Sequence, residues 1–175
     1  AIIDLIRQQP GEITLVCLAP MTNIAMALRL APDIKDKIVE VIAISGAFGL
    51  NEASFLNATG DTPQSEWNVY VDPEATKQVY ESGLKVTAIG LDVATYFSVD
   101  FTDEDLARLA ASDKPEAKFL HQAISFVHGR GFQAYCAVID CMAVAATADP
   151  TLLKSVRGRV GVSTQDGLTL GMTIM

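Results

Sequence analysis

Along the chain, short unbroken apolar runs alternate with stretches whose apolar residues recur at helical spacing. Residues 2–9 set Ile2, Ile3, Leu5 and Ile6 on one side of a helix that Pro10-Gly11 ends. Residues 13–18 (ITLVCL) and 39–45 (VEVIAIS) read as strands covered on both faces. Between them Pro20 and Thr22 open a helix, NIAMALRLA, that stops before Pro32. Residues 46–65 show neither period and hold Gly46, Gly49, Gly60 and Pro63, as expected of a long loop that is either functional or disordered. Asp72-Pro73-Glu74 is a helix start, with an acid at the cap and proline in the first turn, for a helix reaching Ser82 and ended by Gly83. A third strand is expected over 85–91 (KVTAIGL), then helices at 102–111, 115–128 and 140–148. The last segments, VRGRVGVST and LTLGMTIM around Gln165-Asp166-Gly167, suggest a C-terminal β-hairpin.

This order predicts an α/β fold: an open, mostly parallel, Rossmann-like sheet flanked by helices. Ligands in such sheets collect at the carboxyl ends of the strands. Those ends fall at Leu18-Ala19, Ser45-Gly46 and Leu91-Asp92, and the long loop leaves from the second.

Length and composition narrow the function. The 175 residues, 50% hydrophobic and 19% charged, suit one domain with a real core and exclude disorder. A net charge of −8 repels phosphate backbones, so nucleic acid is not an expected partner, while a small neutral substrate or a bound cation is compatible. No stretch approaches the roughly 20 apolar residues of a membrane span. Cys17, Cys136 and Cys141 lie in apolar segments without a Cys-x-x-Cys pair, which reads as buried reduced thiols and a cytoplasmic setting.

Glu66-Trp67-Asn68 is the first candidate for chemistry. In an extended stretch Glu66 and Asn68 share a face, and a carboxylate beside an amide suits the vicinal hydroxyls of a sugar; Trp67 would point away and pack. The alternative is that both polar residues cap a turn before the Asp72 helix. Asp140, before CMAVAA, is either a plain helix cap or an oxygen ligand for a hard cation. Asp92 admits the same two readings. His121 and His128 lie seven apart on one helix, and His128, before Gly129-Arg130-Gly131, is a weak candidate for a proton donor.

Taken in order, Leu18-Ala19-Pro20-Met21-Thr22-Asn23-Ile24-Ala25, Ile44-Ser45-Gly46, Glu66-Trp67-Asn68 with Asp72-Pro73-Glu74-Ala75, and Asp140 with Ala143-Val144-Ala145 resemble the nucleoside hydrolases. The resemblance spans residues 11–175. It implies a partial nucleoside hydrolase fold and hydrolysis of the N-glycosidic bond of a small-molecule ribonucleoside. It further implies a bound Ca²⁺, an aspartate general base, an oxocarbenium-like transition state and a homo-oligomer. Residue by residue, it implies that Asp140 and the backbone carbonyl of Leu18 hold the calcium. Glu66, Asn68 and Asn57 would bind ribose hydroxyls, with Asn51 as the alternative to Asn57.

Two departures qualify it. The family's Asp-x-Asp-x-Gly-x-Asp-Asp cluster, which carries the general base and most calcium ligands, is absent. Residues 1–175 are therefore expected to form one domain that is the middle and C-terminal portion of a larger one. The residue before the calcium aspartate, His in several members, is Ile139, which cannot protonate a leaving base. Ile139 leaves room for a non-catalytic riboside-binding homologue, or for a hydrolase of another ribosyl compound. A purely structural α/β module would leave Glu66, Asn68 and the loop unexplained. Residues 1–175 alone should release no free base from a ribonucleoside and bind calcium poorly; a free-base assay on the purified chain checks this.

Overall fold

The computed structural model describes residues 1–49, 65–95 and 101–175. They fall into two compact units, one of residues 1–94 and 140–175, the other of residues 95–139.

In the first unit, strands β1 (Ile13–Cys17), β2 (Ile38–Ile44) and β3 (Val86–Ile89) form a parallel sheet in the order β1-β2-β3. Leu15 pairs with Val41 and Cys17 with Ala43, while Ala43 pairs with Ala88 and Ile44 with Ile89. β2 lies between the other two, and its apolar run is correspondingly the most buried. Helix α1 (Ile2–Gln8) supplies Ile6 to the core and α2 (Thr22–Leu30) supplies Ile24, Ala25, Ala27 and Leu28, the spacing of one helix face. A 3-10 helix over Pro32–Lys37 adds Ile34, fully buried beside Val41 and Val79. Removing such a side chain from water contributes roughly 1.5–3 kcal/mol.

Helices α3 (Trp67–Val71) and α4 (Pro73–Glu81) follow the loop. The Asp72 carboxylate caps α4 through the Ala75 N–H at 3.0 Å and also accepts from the Thr22 hydroxyl. A single side chain thus starts α4 and ties it to α2, and Gln78 Nε2 adds a bond to the Ala25 carbonyl at 3.0 Å. Beyond β3 lie α5 (Leu91–Ala94) and, after the second unit, α9 (Cys141–Ala148), which packs on β1 and β2. β4 (Gly161–Val162) and β5 (Thr173–Ile174) pair antiparallel, so the hairpin forms with only two residues in each strand.

The second unit contains α6 (Asp103–Ala111), α7 (Pro115–His128) and α8 (Tyr135–Val138). Thr102 and Asp105 form a reciprocal capping box at the start of α6, and Ile124 of α7 is fully buried.

Four expectations are corrected. Residues 66–68 are not extended, because α3 starts at Trp67. The third strand ends at Ile89 rather than Leu91, where the chain turns into α5. Trp67 is 53% exposed and stacks on Tyr70, one turn on, instead of packing inward. Cys136 and Cys141 are exposed, and only Cys17 is a buried thiol. For Trp67 the face that meets the core reverses because the segment is helical rather than extended.

Replacing Asp72 by Ala should cost about 1–2 kcal/mol, since it removes the cap and the tether to Thr22. Urea denaturation with an unchanged m-value would show it.

Candidate active site

The carboxyl end of β2 is where the chemistry-bearing residues gather. Past Ile44 the strand ladder continues for one residue, Ser45 N–H donating to the Ile89 carbonyl at 3.0 Å, and Leu91 N–H then reaches the Gly46 carbonyl at 2.9 Å. Gly46 has φ +90°, and a Cβ there would lie 2.6 Å from the Phe48 ring. Only glycine fits such a turn without strain. Phe48 N–H donates to Asp92 Oδ1 at 3.1 Å, and Asp92 is fully buried. Its Oδ1 therefore serves the loop backbone, and Asp92 lies within α5 rather than at its cap.

Glu66 is buried at 2% exposure. Its Oε1 accepts from Asn68 N–H at 2.8 Å, and its Oε2 accepts from Val69 N–H at 3.1 Å and Gly46 N–H at 3.3 Å. The residue is thus the cap of α3 and, through Gly46, the link from that helix to β2. Burial pushes its pKa up to about 6, against the three N–H donors that pull it down, and the charge of Asp140 adds a smaller push. At pH 7 the group is still about 90% ionised. A carboxylate offers about four lone-pair directions, so Oε1 keeps capacity for one further donor.

Asn68 Nδ2 donates to the Ile44 carbonyl at 3.0 Å, which turns its amide toward the strand end. Its Oδ1 accepts from none of the described residues. Glu66 and Asn68 do converge as the sugar reading requires, but through a helix cap and not along an extended strand. The capping alternative is realised in Glu66, whose carboxylate caps α3.

Asp140 occupies the cap position of α9 without capping it; its backbone is helical and its side chain makes no bond to the helix N–H groups. Partial burial raises its pKa. A carboxylate partly withdrawn from water, with no donor among the described residues and a like charge in Glu66 nearby, is suited to a cation. The Leu18 carbonyl, one residue past β1, likewise accepts no hydrogen bond from the described residues, and Leu18 is 41% exposed. Among the described residues no three His, Cys, Asp or Glu side chains form a metal cluster.

Asn57 and Asn51 lie outside the described residues. His128 is the last residue of α7 in the second unit, and Ile139 ends α8 there. Sequence reasoning missed the support beneath the site. Tyr80 donates to the Ser45 hydroxyl at 2.8 Å, with burial pushing the phenol upward, and Cys17 Sγ, its pKa also raised by burial, donates to the Ala19 carbonyl at 3.0 Å. Nothing local marks the Tyr80 contact, because it spans 35 residues.

Comparison with known proteins identifies the family. The family model described as inosine-uridine preferring nucleoside hydrolase matches residues 1–175. The chain is 36% identical to the inosine-uridine preferring nucleoside hydrolase of Leishmania major, over 99% of its own length and 54% of that protein's. It is 34% identical to a pyrimidine-specific ribonucleoside hydrolase of Shewanella sp. (strain ANA-3), over 97% and 52%. A solved plant nucleoside hydrolase superposes with a TM-score of 0.81 at 30% identity, covering 98% of this chain and 52% of the plant chain. The chain spans about half the length of the curated relatives it matches.

Glu66 gives the site a pH signature. Its folded pKa, about 6, stands above the ordinary 4.5, so the folded state holds the proton more tightly. The stability this contributes is present below pH 4.5 and is lost as pH rises through 6, a change of about 2 kcal/mol. Urea midpoints at pH 4.5 and 7 should show that slope, and Glu66→Gln should remove it.

Proposed function

This chain belongs to the inosine-uridine preferring nucleoside hydrolase family, and on that premise we propose that the whole protein hydrolyses the N-glycosidic bond of ribonucleosides to free base and ribose. The observation that carries the reading is the pairing of Glu66 and Asn68 at the end of β2. There an ionised carboxylate with one remaining acceptor direction stands beside an amide whose oxygen accepts from no described residue.

These residues have definite work in such a reaction. Glu66 Oε1 accepts from a ribose hydroxyl, and the Asn68 amide can accept from a second. Both are held by backbone bonds made before substrate arrives, so little reorganisation is needed. As the bond from sugar carbon to base nitrogen breaks, its electron pair leaves with the base and positive charge develops on the sugar. The Glu66 carboxylate, buried and therefore weakly screened, favours that charge. Asp140 and the Leu18 carbonyl are the oxygens in this chain that fit a cation, and we assign them to calcium. When bound, calcium orients water and makes it more acidic. The general base belongs to the Asp-x-Asp-x-Gly-x-Asp-Asp cluster that this sequence does not contain.

Ile139 has no ionisable proton to transfer, which leaves His128 as this chain's candidate for protonating the leaving base. Ile139 also favours a second reading, a homologue that binds ribosides without cleaving them. The proposal extends to a cytoplasmic homo-oligomer, and the charge of −8 supports the absence of a nucleic-acid partner. No helix among the described residues is long and apolar enough to cross a membrane.

In the intact protein, Asn68→Ala should raise KM for uridine or inosine roughly 10- to 100-fold, the loss of one or two polar contacts. Asp140→Asn should weaken Ca²⁺ binding about tenfold or more by calorimetric titration. Unchanged values in folded variants would refute these assignments, and riboside binding without base release would favour the second reading.

A further inference from the structure

The joint between Glu66 and Gly46 is bracketed by the C-terminal hairpin. Thr173, buried in β5, uses one hydroxyl for both polar backbone groups of Ala47: Oγ1 accepts from Ala47 N–H at 2.9 Å and donates to the Ala47 carbonyl at 3.1 Å. On the other side Ser65 Oγ donates to the Leu170 carbonyl at 2.6 Å, and Ser65 forms an isolated antiparallel bridge with Met172. Ala47 follows Gly46 and Ser65 precedes Glu66. The hairpin therefore holds the immediate neighbour of each partner in the Gly46–Glu66 bond. Gly171, at φ +75°, brings the hairpin backbone against α3: a Cβ there would lie 2.6 Å from the Tyr70 Cα.

A hairpin with two paired residues in each strand has little stability of its own. Its placement depends on contacts such as these, and the contacts fall on the residues that flank the site. The Gly46 bond to Glu66, at 3.3 Å, is the longest of the three on that carboxylate and the one made between separate elements. It is the contact most sensitive to where Ala47 sits.

We propose that Thr173 is a positioning residue. By holding Ala47 through both its N–H and its carbonyl, it sets the Gly46 amide against the Glu66 carboxylate and so fixes where Glu66 presents its remaining lone pair. The consequence for substrate rests on the ribose reading of Glu66; the backbone geometry does not.

The test compares Thr173→Val, which keeps shape and loses the hydroxyl, with Thr173→Ser, which keeps the hydroxyl, in the intact protein. Amide hydrogen exchange is followed at Gly46 and Ala47, and affinity is measured for uridine. Thr173→Val should speed exchange at both amides about tenfold and weaken uridine binding by a similar factor. Thr173→Ser should restore both, with exchange in β1 and α2 unchanged. Should Thr173→Val not fold, Ser65→Ala removes the other bracket and is expected to weaken uridine binding in the same way. Unchanged exchange at Gly46 overturns the proposal. So does faster exchange with undiminished uridine affinity, provided Asn68→Ala still loses binding. If Asn68→Ala also binds normally, the ribose reading fails, and exchange at Gly46 alone decides the positioning role.

Discussion

A buried carboxylate shared between a helix start and a strand end is the constraint on which this region depends. Glu66 accepts two N–H groups of α3 and one from Gly46, and so joins elements that no backbone ladder connects. A buried carboxylate is costly unless its oxygens are paired, and three donors offset much of that cost without removing it. The remainder appears as a pKa lifted to about 6. That a charge is kept in such a place is an argument for a ligand that uses it.

Around this carboxylate the supports converge from distant parts of the chain. Asp92 holds Phe48, Thr173 holds Ala47, Asn68 holds the Ile44 carbonyl and Tyr80 holds Ser45. Five consecutive residues at and after the end of β2 are thus tied down, Gly46 by Glu66 itself. Irregular backbone at a sheet edge would otherwise leave N–H and carbonyl groups unpaired. Here side chains do what further ladder bonds would do.

Much of the architecture was legible without coordinates. Apolar runs marked β1, β2 and β3, Asp72-Pro73 marked the start of α4, and Thr102 marked α6, because each signal is local and its physics acts within a few residues. The Glu66 and Asn68 pair was found, but with the wrong local geometry. A five-residue helix such as α3 carries too few turns to show a period, and its main evidence is the cap itself. Trp67 was misplaced for the same reason, since inward and outward reverse when a strand becomes a helix.

The sequence by itself determined the parallel α/β plan, the strand ends where a site would form, and the residue types able to hold a ribose or a cation. Hydrophobic period, turn residues and caps are short-range quantities, and they survive in a one-dimensional reading. Only the tertiary structure decided that Asp92 accepts from Phe48, that Asp140 leaves its own helix uncapped, and that Thr173 reaches Ala47 across 126 residues. Those outcomes depend on which side chains meet once the sheet has formed, and the energy of a contact carries no trace of the distance along the chain between its partners.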